Sequence, residues 1–160
     1  MSKHLPAYAG WTLLVFITAA LGAWASVDAR SFYASLNQPS WAPPGGVFGP
    51  VWTLLYIMMA VAVCRIWRQR HASETSSVAL SLFVIQLVLN GLWSWLFFAW
   101  HLGLAAFVDV IVLWVFIFLT LRSFQRTDKL AAWLLLPYLV WVAFATALTF
   151  AVWQANPGIL

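Results

Sequence analysis

Five long apolar stretches dominate the hydropathy pattern of this 160-residue chain, and charged residues fall almost entirely between them. Each stretch has the length that an α-helix needs to cross the hydrocarbon core of a bilayer, about 20 residues. The pattern therefore predicts an all-α membrane protein, a five-transmembrane-helix bundle that forms a single integral membrane domain over residues 1–160. The predicted spans are residues 8–27, 48–67, 78–98, 104–121 and 130–153.

The link between the first two spans is not an ordinary polar loop. Residues 31–56 contain four of the seven prolines, together with several aromatic rings. Each proline fixes its own backbone φ angle and disfavours helical geometry at the residue before it. We therefore expect a rigid, largely non-helical, proline-rich first loop that caps an internal pocket between the helices.

Composition and charge support a membrane location, since 64% of the residues are apolar and only 8% are charged. With five spans, seven of the eight cations fall on one side and Arg30 on the other, which predicts a cytoplasmic N-terminus and an external C-terminus. The net charge of +4 is therefore a topology signal, and no basic patch indicates nucleic-acid binding. The cations on the majority side are Lys3, Arg65, Arg68, Arg70, Arg122, Arg126 and Lys129.

A bacterial cell membrane is the expected location, and an outer membrane is the alternative, in which the charge rule would be a weaker guide to orientation. The first stretch also has features of a signal peptide, with Ala23 and Ala25 as a small-residue pair before Asp28. Because this stretch is long enough to span the bilayer, we interpret it as a retained helix.

Polar and aromatic residues recur on one face of two predicted helices. Gln86, Asn90 and Trp93 lie at positions i, i+4 and i+7, and Trp52 and Tyr56 lie at i and i+4. Amide side chains within a bilayer need partners, so this face is expected to point inward. Such a face suits a flat apolar ligand that stacks on the rings. Simple packing of the rings inside the bundle is the alternative, and composition alone favours it.

Asp109 is the only carboxylate inside a predicted span. An acidic residue within the membrane is a functional candidate. The alternative is a structural hydrogen-bond acceptor near the membrane edge, tied to the first loop or to Arg30.

The sequence lacks the motifs that several classes of enzyme and metal-binding protein require. The chain has no glycine-rich phosphate loop and no HExxH, CxxC or GxSxG motif. His4, His71 and His101 fall in three different links, so a shared metal site is not expected. The single cysteine, Cys64, cannot form an intrachain disulfide. We therefore predict no catalytic residues, no metal site and no required cofactor.

Four motifs carry a resemblance to a known family. They are FYASLNQPSWAPP with FGPVWTLLY, QLVLNGLWSWLFF, GLAAFVDV and LLLPYLVWVAFATALTF. In order and spacing they resemble the translocator protein family, also called TspO/MBR, tryptophan-rich sensory protein or peripheral benzodiazepine receptor. The resemblance extends from about residue 11 to residue 153 and covers all five spans.

The resemblance implies a five-helix bundle, commonly a homodimer, whose first loop caps a pocket for porphyrins such as protoporphyrin IX or haem. Some members also bind cholesterol and isoquinoline or benzodiazepine drugs. Carried over by motif, the ligand-binding residues would be Tyr33, Trp41, Pro43, Trp52, Tyr56, Gln86, Asn90, Trp93, Asp109, Val110, Trp141, Ala145 and Leu148.

Three departures from the family pattern qualify this expectation. Phe32 stands where many relatives have tryptophan, and Thr149 and Phe150 replace a common Asn-Tyr pair. No Lys or Arg follows Phe150, so the proposed cholesterol motif is missing and cholesterol binding is doubtful.

The function expected from these observations is a membrane receptor for porphyrin-type tetrapyrroles, acting in tetrapyrrole homeostasis and stress-linked regulation. One alternative is a transporter of tetrapyrroles or other small solutes, although the chain shows no internal repeat. A second alternative is a light-dependent porphyrin-degrading enzyme with Trp52 and Trp141 as redox partners. Because the chain has no recognisable acid–base or metal set, simple binding ranks above catalysis.

Overall fold

The computed structural model describes residues 5–70 and 76–160, and all regular structure in these ranges is helical. Five of the helices are long and apolar enough to cross a membrane, which confirms the predicted five-span all-α architecture. In chain order the helices are α1 (Leu5–Ala25), α2 (Ala29–Ser35), α3 (Phe48–Arg68), α4 (Ser76–Ser94), α5 (Gly103–Thr127) and α6 (Lys129–Ala155).

The largest difference in helix bounds concerns α5, which ends at Thr127 rather than at the predicted residue 121. Its last turns are polar, and polar residues can remain helical where a helix emerges from the bilayer. Only Asp128 separates α5 from α6. The Asp128 carboxylate accepts hydrogen bonds from the backbone N–H groups of Leu130 and Ala131, so it is the N-cap of α6.

The turn between α4 and α5 is made by an irregular helix end. After Ser94 the chain continues as a π-helical turn, Trp95–Ala99, and His101 has a positive φ of 53°. Gly103 then opens α5 against the ring of Trp153, where a Cβ atom would overlap the ring. Glycine is therefore needed for the close approach of α5 to the end of α6.

The first loop is less irregular than expected. Its beginning is the helix α2, and residues Gly45–Val47 form a turn of 3₁₀-helix that leads into α3. The expectation of a largely non-helical segment is therefore wrong for both ends and holds for residues 36–44. The reason is positional, because the first proline of the loop is Pro39 and α2 contains neither proline nor glycine.

The five long helices form a ring in the order α1, α3, α6, α5, α4, in which α1 also closes against α4. Large apolar side chains fill the centre between α3, α4, α5 and α6. Those with less than 1% of their surface exposed include Met59, Val63, Ile66, Phe83 and Phe124. Many apolar side chains on the outside of the ring are exposed, as a bilayer environment requires.

Small residues allow α1 to approach α4 closely. A Cβ atom on Gly91 would lie 3.5 Å from Cγ2 of Thr18, and one on Gly22 would lie 3.3 Å from Oγ of Ser94. Thr18 and Gly22 of α1 therefore make a contact within the chain.

Candidate functional site

A cavity of about 710 Å³ lies between α1, α3, α4 and the first loop. This volume is typical of small-molecule binding sites. The contribution of α1 consists mainly of small side chains, which leave the space that larger residues would fill. These are Ala19, Ala20, Gly22 and Ala23, and Ser26 follows just beyond the end of the helix.

Aromatic side chains line the opposite walls of the cavity. The rings of Trp52 and Tyr56 are 5.7 Å apart on α3, and Tyr33 meets Phe48 edge to face at 5.4 Å. Trp93 adds an indole from α4, and its Nε1 donor is buried without a hydrogen-bond partner among the described residues. The walls thus combine flat apolar surfaces with a buried indole donor.

A hydrogen-bond network lies at the end of the cavity farthest from the first loop. The Tyr56 hydroxyl donates to Oδ1 of Asn90, and Nδ2 of Asn90 donates to the Tyr138 hydroxyl at 2.9 Å. Tyr138 in turn donates to Oε1 of Gln86 at 2.9 Å. Tyr56 and Asn90 line the cavity, whereas Tyr138 and Gln86 are buried behind them. The network therefore closes this end with hydrogen-bonded polar groups, and only Nε2 of Gln86 within it is buried without a partner among the described residues.

The first loop supplies the polar side of the cavity. Arg30 is the one cation among the described residues that line it, and its guanidinium lies near Gly46. Tyr33 donates a hydrogen bond of 3.4 Å to the carbonyl of Pro43. Burial raises the pKa of Tyr33, so its hydroxyl stays protonated at neutral pH and can keep donating.

The remainder of the loop is held by the end of α6. The backbone N–H of Asn37 donates to Oδ1 of Asn156 at 2.9 Å, and Nδ2 of Asn156 donates to the Asn37 carbonyl at 3.0 Å. Asn156 is only 3% exposed. This reciprocal Asn37–Asn156 pair fixes the position of the loop relative to α6.

The structure brings five of the thirteen predicted site residues together around the cavity. They are Tyr33, Trp52, Tyr56, Asn90 and Trp93. A sixth, Gln86, joins them through the network but lies behind the cavity wall. The inward face expected for α4 is thus present, with Gln86 1% exposed and Asn90 3% exposed.

Three further predicted residues lie near the loop but do not line this cavity. Trp41 is 50% exposed and packs on Phe144, and Pro43 is held by the Tyr33 hydroxyl. Trp141 meets Phe48, which does line the cavity, at 6.0 Å. The proline-containing stretch therefore runs toward α6, while Arg30, Tyr33 and the Gly45–Gly46 pair form the cavity wall.

The other four predicted residues belong to the packing of α5 and α6. Val110 is in the central core, Leu148 is in a second cluster with Leu36, Phe97, Ala106 and Val152, and Ala145 is half-buried. Asp109 is 7% exposed, and its Oδ2 accepts no hydrogen bond from any described residue. The tie expected between Asp109 and the first loop or Arg30 is not found in that part of the chain.

Sequence reasoning missed several residues that form the site. Small residues such as Gly22 and Ala23 recur along α1, but nothing in the sequence indicated that some of them face a cavity. Arg30 was considered only as a topology exception and as a possible partner of Asp109. Phe16 carries no motif signal, and Phe48 lies in a quoted motif but was not assigned to the site. Asn156 could have been suspected because asparagine is common just after a helix end.

Metal binding receives no support from the described residues, which contain no group of three potential ligands. His4 and His71 lie outside the described ranges, as does Lys3 of the charge count.

Comparison with known proteins identifies the family. The model of the TspO/MBR family matches residues 11–154. The chain belongs to the TspO/MBR family. A tryptophan-rich protein TspO of Chlorobaculum tepidum is 45% identical over 79% of this chain and 80% of its own length. The tryptophan-rich sensory protein of Cereibacter sphaeroides is 36% identical over 91% and 92%, and the human translocator protein is 38% identical over 79% and 76%.

Membership of the TspO/MBR family agrees with the motif resemblance drawn from the sequence, and it makes this chain an integral membrane protein. The matched region contains all five long helices apart from the first residues of α1 and the last residue of α6. It also contains every residue named above as lining the cavity.

Proposed function

We propose that this protein is a membrane receptor for porphyrin-type tetrapyrroles, such as protoporphyrin IX or haem, and that it acts in tetrapyrrole homeostasis and stress-linked regulation. One observation carries the proposal: an aromatic cavity of about 710 Å³ has a single lining cation, Arg30, on its loop side. A protoporphyrin is a flat apolar ring with carboxylate groups at one edge. Its ring would stack on Trp52 and Trp93, and a carboxylate would pair with Arg30.

The first test uses the carboxylates at the edge of the porphyrin. Affinities for protoporphyrin IX and for its dimethyl ester are measured by tryptophan quenching in detergent, for the wild type and for Arg30→Gln. The diacid should bind the wild type about tenfold more tightly than it binds Arg30→Gln, since a charge-assisted hydrogen bond is lost. The ester should bind both proteins equally. Equal loss of diacid and ester affinity in Arg30→Gln would contradict the proposed role of Arg30.

A second pair of variants tests the cavity. Ala23→Phe fills part of the cavity, and Leu21→Phe adds the same ring to an exposed position of the same helix that does not line it. Ala23→Phe should abolish saturable quenching, while Leu21→Phe should bind as the wild type does. Unchanged binding by Ala23→Phe would place the ligand elsewhere and overturn the proposal.

Transport of a tetrapyrrole is the second candidate function. It would require an opening past the network of Tyr56, Asn90 and Tyr138 that ends the cavity. Uptake into sealed proteoliposomes, compared with binding under the same conditions, separates transport from binding alone.

Light-dependent degradation of the porphyrin is the other alternative, and it is tested by illuminating the bound porphyrin under oxygen and analysing the products. If the porphyrin is lost at the same rate without protein, degradation by the protein is excluded.

We place the protein in a bacterial cell membrane, with the N-terminus in the cytoplasm and the C-terminus outside, on the charge asymmetry of the links. Assembly as a homodimer stays a prediction. Since Gly22 of α1 already faces Ser94 within the chain, a dimer contact would use another surface. Cross-linking of single-cysteine variants in native membranes tests whether a homodimer forms and which surface it uses.

A further inference from the structure

A second groove lies between α1 and α3, at the end of the bundle where α3 terminates in arginines. Its volume is about 440 Å³. Residues of α3 line it at helical spacing, and three residues of α1 spaced four apart form the facing wall. From α3 these are Ile57, Ala60, Val61, Cys64, Arg65 and Arg68, and from α1 they are Tyr8, Thr12 and Phe16.

The floor of this groove is effectively apolar. Thr12 and Cys64 face each other at 3.9 Å, and Cys64 also contacts the Tyr8 carbonyl at 3.8 Å, so these weakly polar groups are paired. Ile57 and Val61 are 46% and 48% exposed, which leaves the groove open to the surroundings of the bundle. In a membrane those surroundings are acyl chains.

Cations lie at one end of the groove only. Arg68 is exposed and makes no hydrogen bond or ion pair within the described ranges. Arg65 uses Nη2 for Asp128 at 2.9 Å, while its Nε is buried without a partner among the described residues. Because Asp128 neutralises Arg65, the net positive charge of this end comes from Arg68.

The length of the groove matches one leaflet. Ile57 and Arg68 are eleven residues apart on α3, which corresponds to about 16 Å along the helix axis. The hydrocarbon core of a bilayer is about 30 Å thick, so one leaflet contributes about 15 Å. An acyl chain that runs along Val61 and Ile57 would therefore place its headgroup phosphate at the level of Arg68.

We infer that the α1–α3 groove binds an anionic glycerophospholipid of the leaflet on the arginine side, with its phosphate at Arg68 and Arg65 and one acyl chain along Ala60 and Ile57. Charge complementarity selects this occupant, because basic sites between transmembrane helices attract anionic headgroups. The groove is distinct from the tetrapyrrole cavity, with which it shares only the ring of Phe16. The inference does not depend on the proposed function.

Lipid retention tests the site. The full-length protein in detergent is incubated with equal amounts of phosphatidylglycerol and phosphatidylcholine of identical acyl chains, and bound lipid is counted by native mass spectrometry. The wild type should retain phosphatidylglycerol about fivefold more than phosphatidylcholine. Arg68→Gln, an exposed change that leaves the fold intact, should reduce this ratio to about one.

Two further variants give the experiment its controls. Arg126→Gln removes one exposed cation near the end of α5, outside the groove, and should keep the fivefold preference. Ala60→Leu fills the floor without changing charge and should reduce the retention of both lipids. The inference is overturned if Arg68→Gln keeps the wild-type ratio, if Arg126→Gln loses it equally, or if the wild type shows no preference.

Discussion

Helices α1 and α6 are both long and apolar, yet they differ greatly in how many of their residues are buried. Only two residues of α1 are buried, Val15 and Gly22, whereas eight residues of α6 are buried. The aromatic cavity and the α1–α3 groove both lie along α1. The comparison teaches that, in this bundle, the helix with small side chains borders open space, while the well-packed α6 contributes no residue to the described lining of the cavity.

The well-packed α6 side also fixes the first loop. Asn156, just beyond the end of α6, exchanges hydrogen bonds with Asn37, while α1 contributes mainly side-chain surface to the cavity. Helix α1 therefore borders the cavity with few buried residues, whereas the well-packed α6 positions the loop. Local stability is expected to differ accordingly between the two sides.

The largest effect should come from truncating one leucine on each helix. Leu135 of α6 is 1% exposed and Leu13 of α1 is 61% exposed. Leu135→Ala should reduce the free energy of unfolding by about 3 kcal/mol, because it leaves a cavity in the core. Leu13→Ala should change it by less than about 0.5 kcal/mol. Thermal unfolding in detergent, followed by circular dichroism, measures both, and similar losses would show that α1 is packed as tightly as α6.

A smaller effect is expected from separating the loop from α6. Asn156→Ala removes the acceptor of the Asn37 N–H, so hydrogen exchange of that amide should accelerate about tenfold. Gln154→Ala, an exposed change in the last turn of the same helix, is the control and should leave the exchange rate unchanged. If Asn156→Ala also leaves it unchanged, the loop is held by its apolar contacts instead.

The smallest effect concerns Asp128, which joins the ends of α3 and α6. Its carboxylate pairs with Arg65 at 2.9 Å, accepts from Gln69 at 2.8 Å and caps α6. Asp128→Asn keeps a capping oxygen and should cost about 0.5 kcal/mol, because Arg65 is partly exposed. Asp128→Ala also loses the cap and should cost about 1 kcal/mol more.

The pH dependence of these variants has a defined sign. Burial alone would raise the pKa of Asp128, but the hydrogen bonds from Ala131, Arg65 and Leu130 and the charge of Arg65 hold it below its usual value of 3.8. A lowered pKa means that the ionised form stabilises the fold above pH 3.8 and that this contribution is lost as the pH falls toward the folded-state pKa. The stability difference between wild type and Asp128→Asn should be constant from pH 8 to about 5 and should disappear in stronger acid. A difference that persists below the folded-state pKa would show that the ion pair is not its cause.

The part of the site that the sequence predicted well is the part that depends on helical spacing. Trp52 with Tyr56, and Asn90 with Trp93, share faces because residues three and four apart are neighbours on any α-helix. Once α3 and α4 were placed beside one cavity, these pairs necessarily lay together. Val110, Ala145 and Leu148 were assigned by motif resemblance, and Asp109 also because it is the only carboxylate inside a predicted span. The structure places all four in the packing of α5 and α6.

The amino-acid sequence by itself determined the class of protein, because the length of an apolar stretch and the spacing of polar residues along it are local properties that survive any packing of the helices. Tertiary structure alone decided which helix is loosely packed, that Arg30 and the small residues of α1 line a cavity, and that Asn156 meets Asn37 across 119 positions of the chain. These features depend on contacts between segments distant in sequence, and no periodicity within a single segment records which neighbour it will meet.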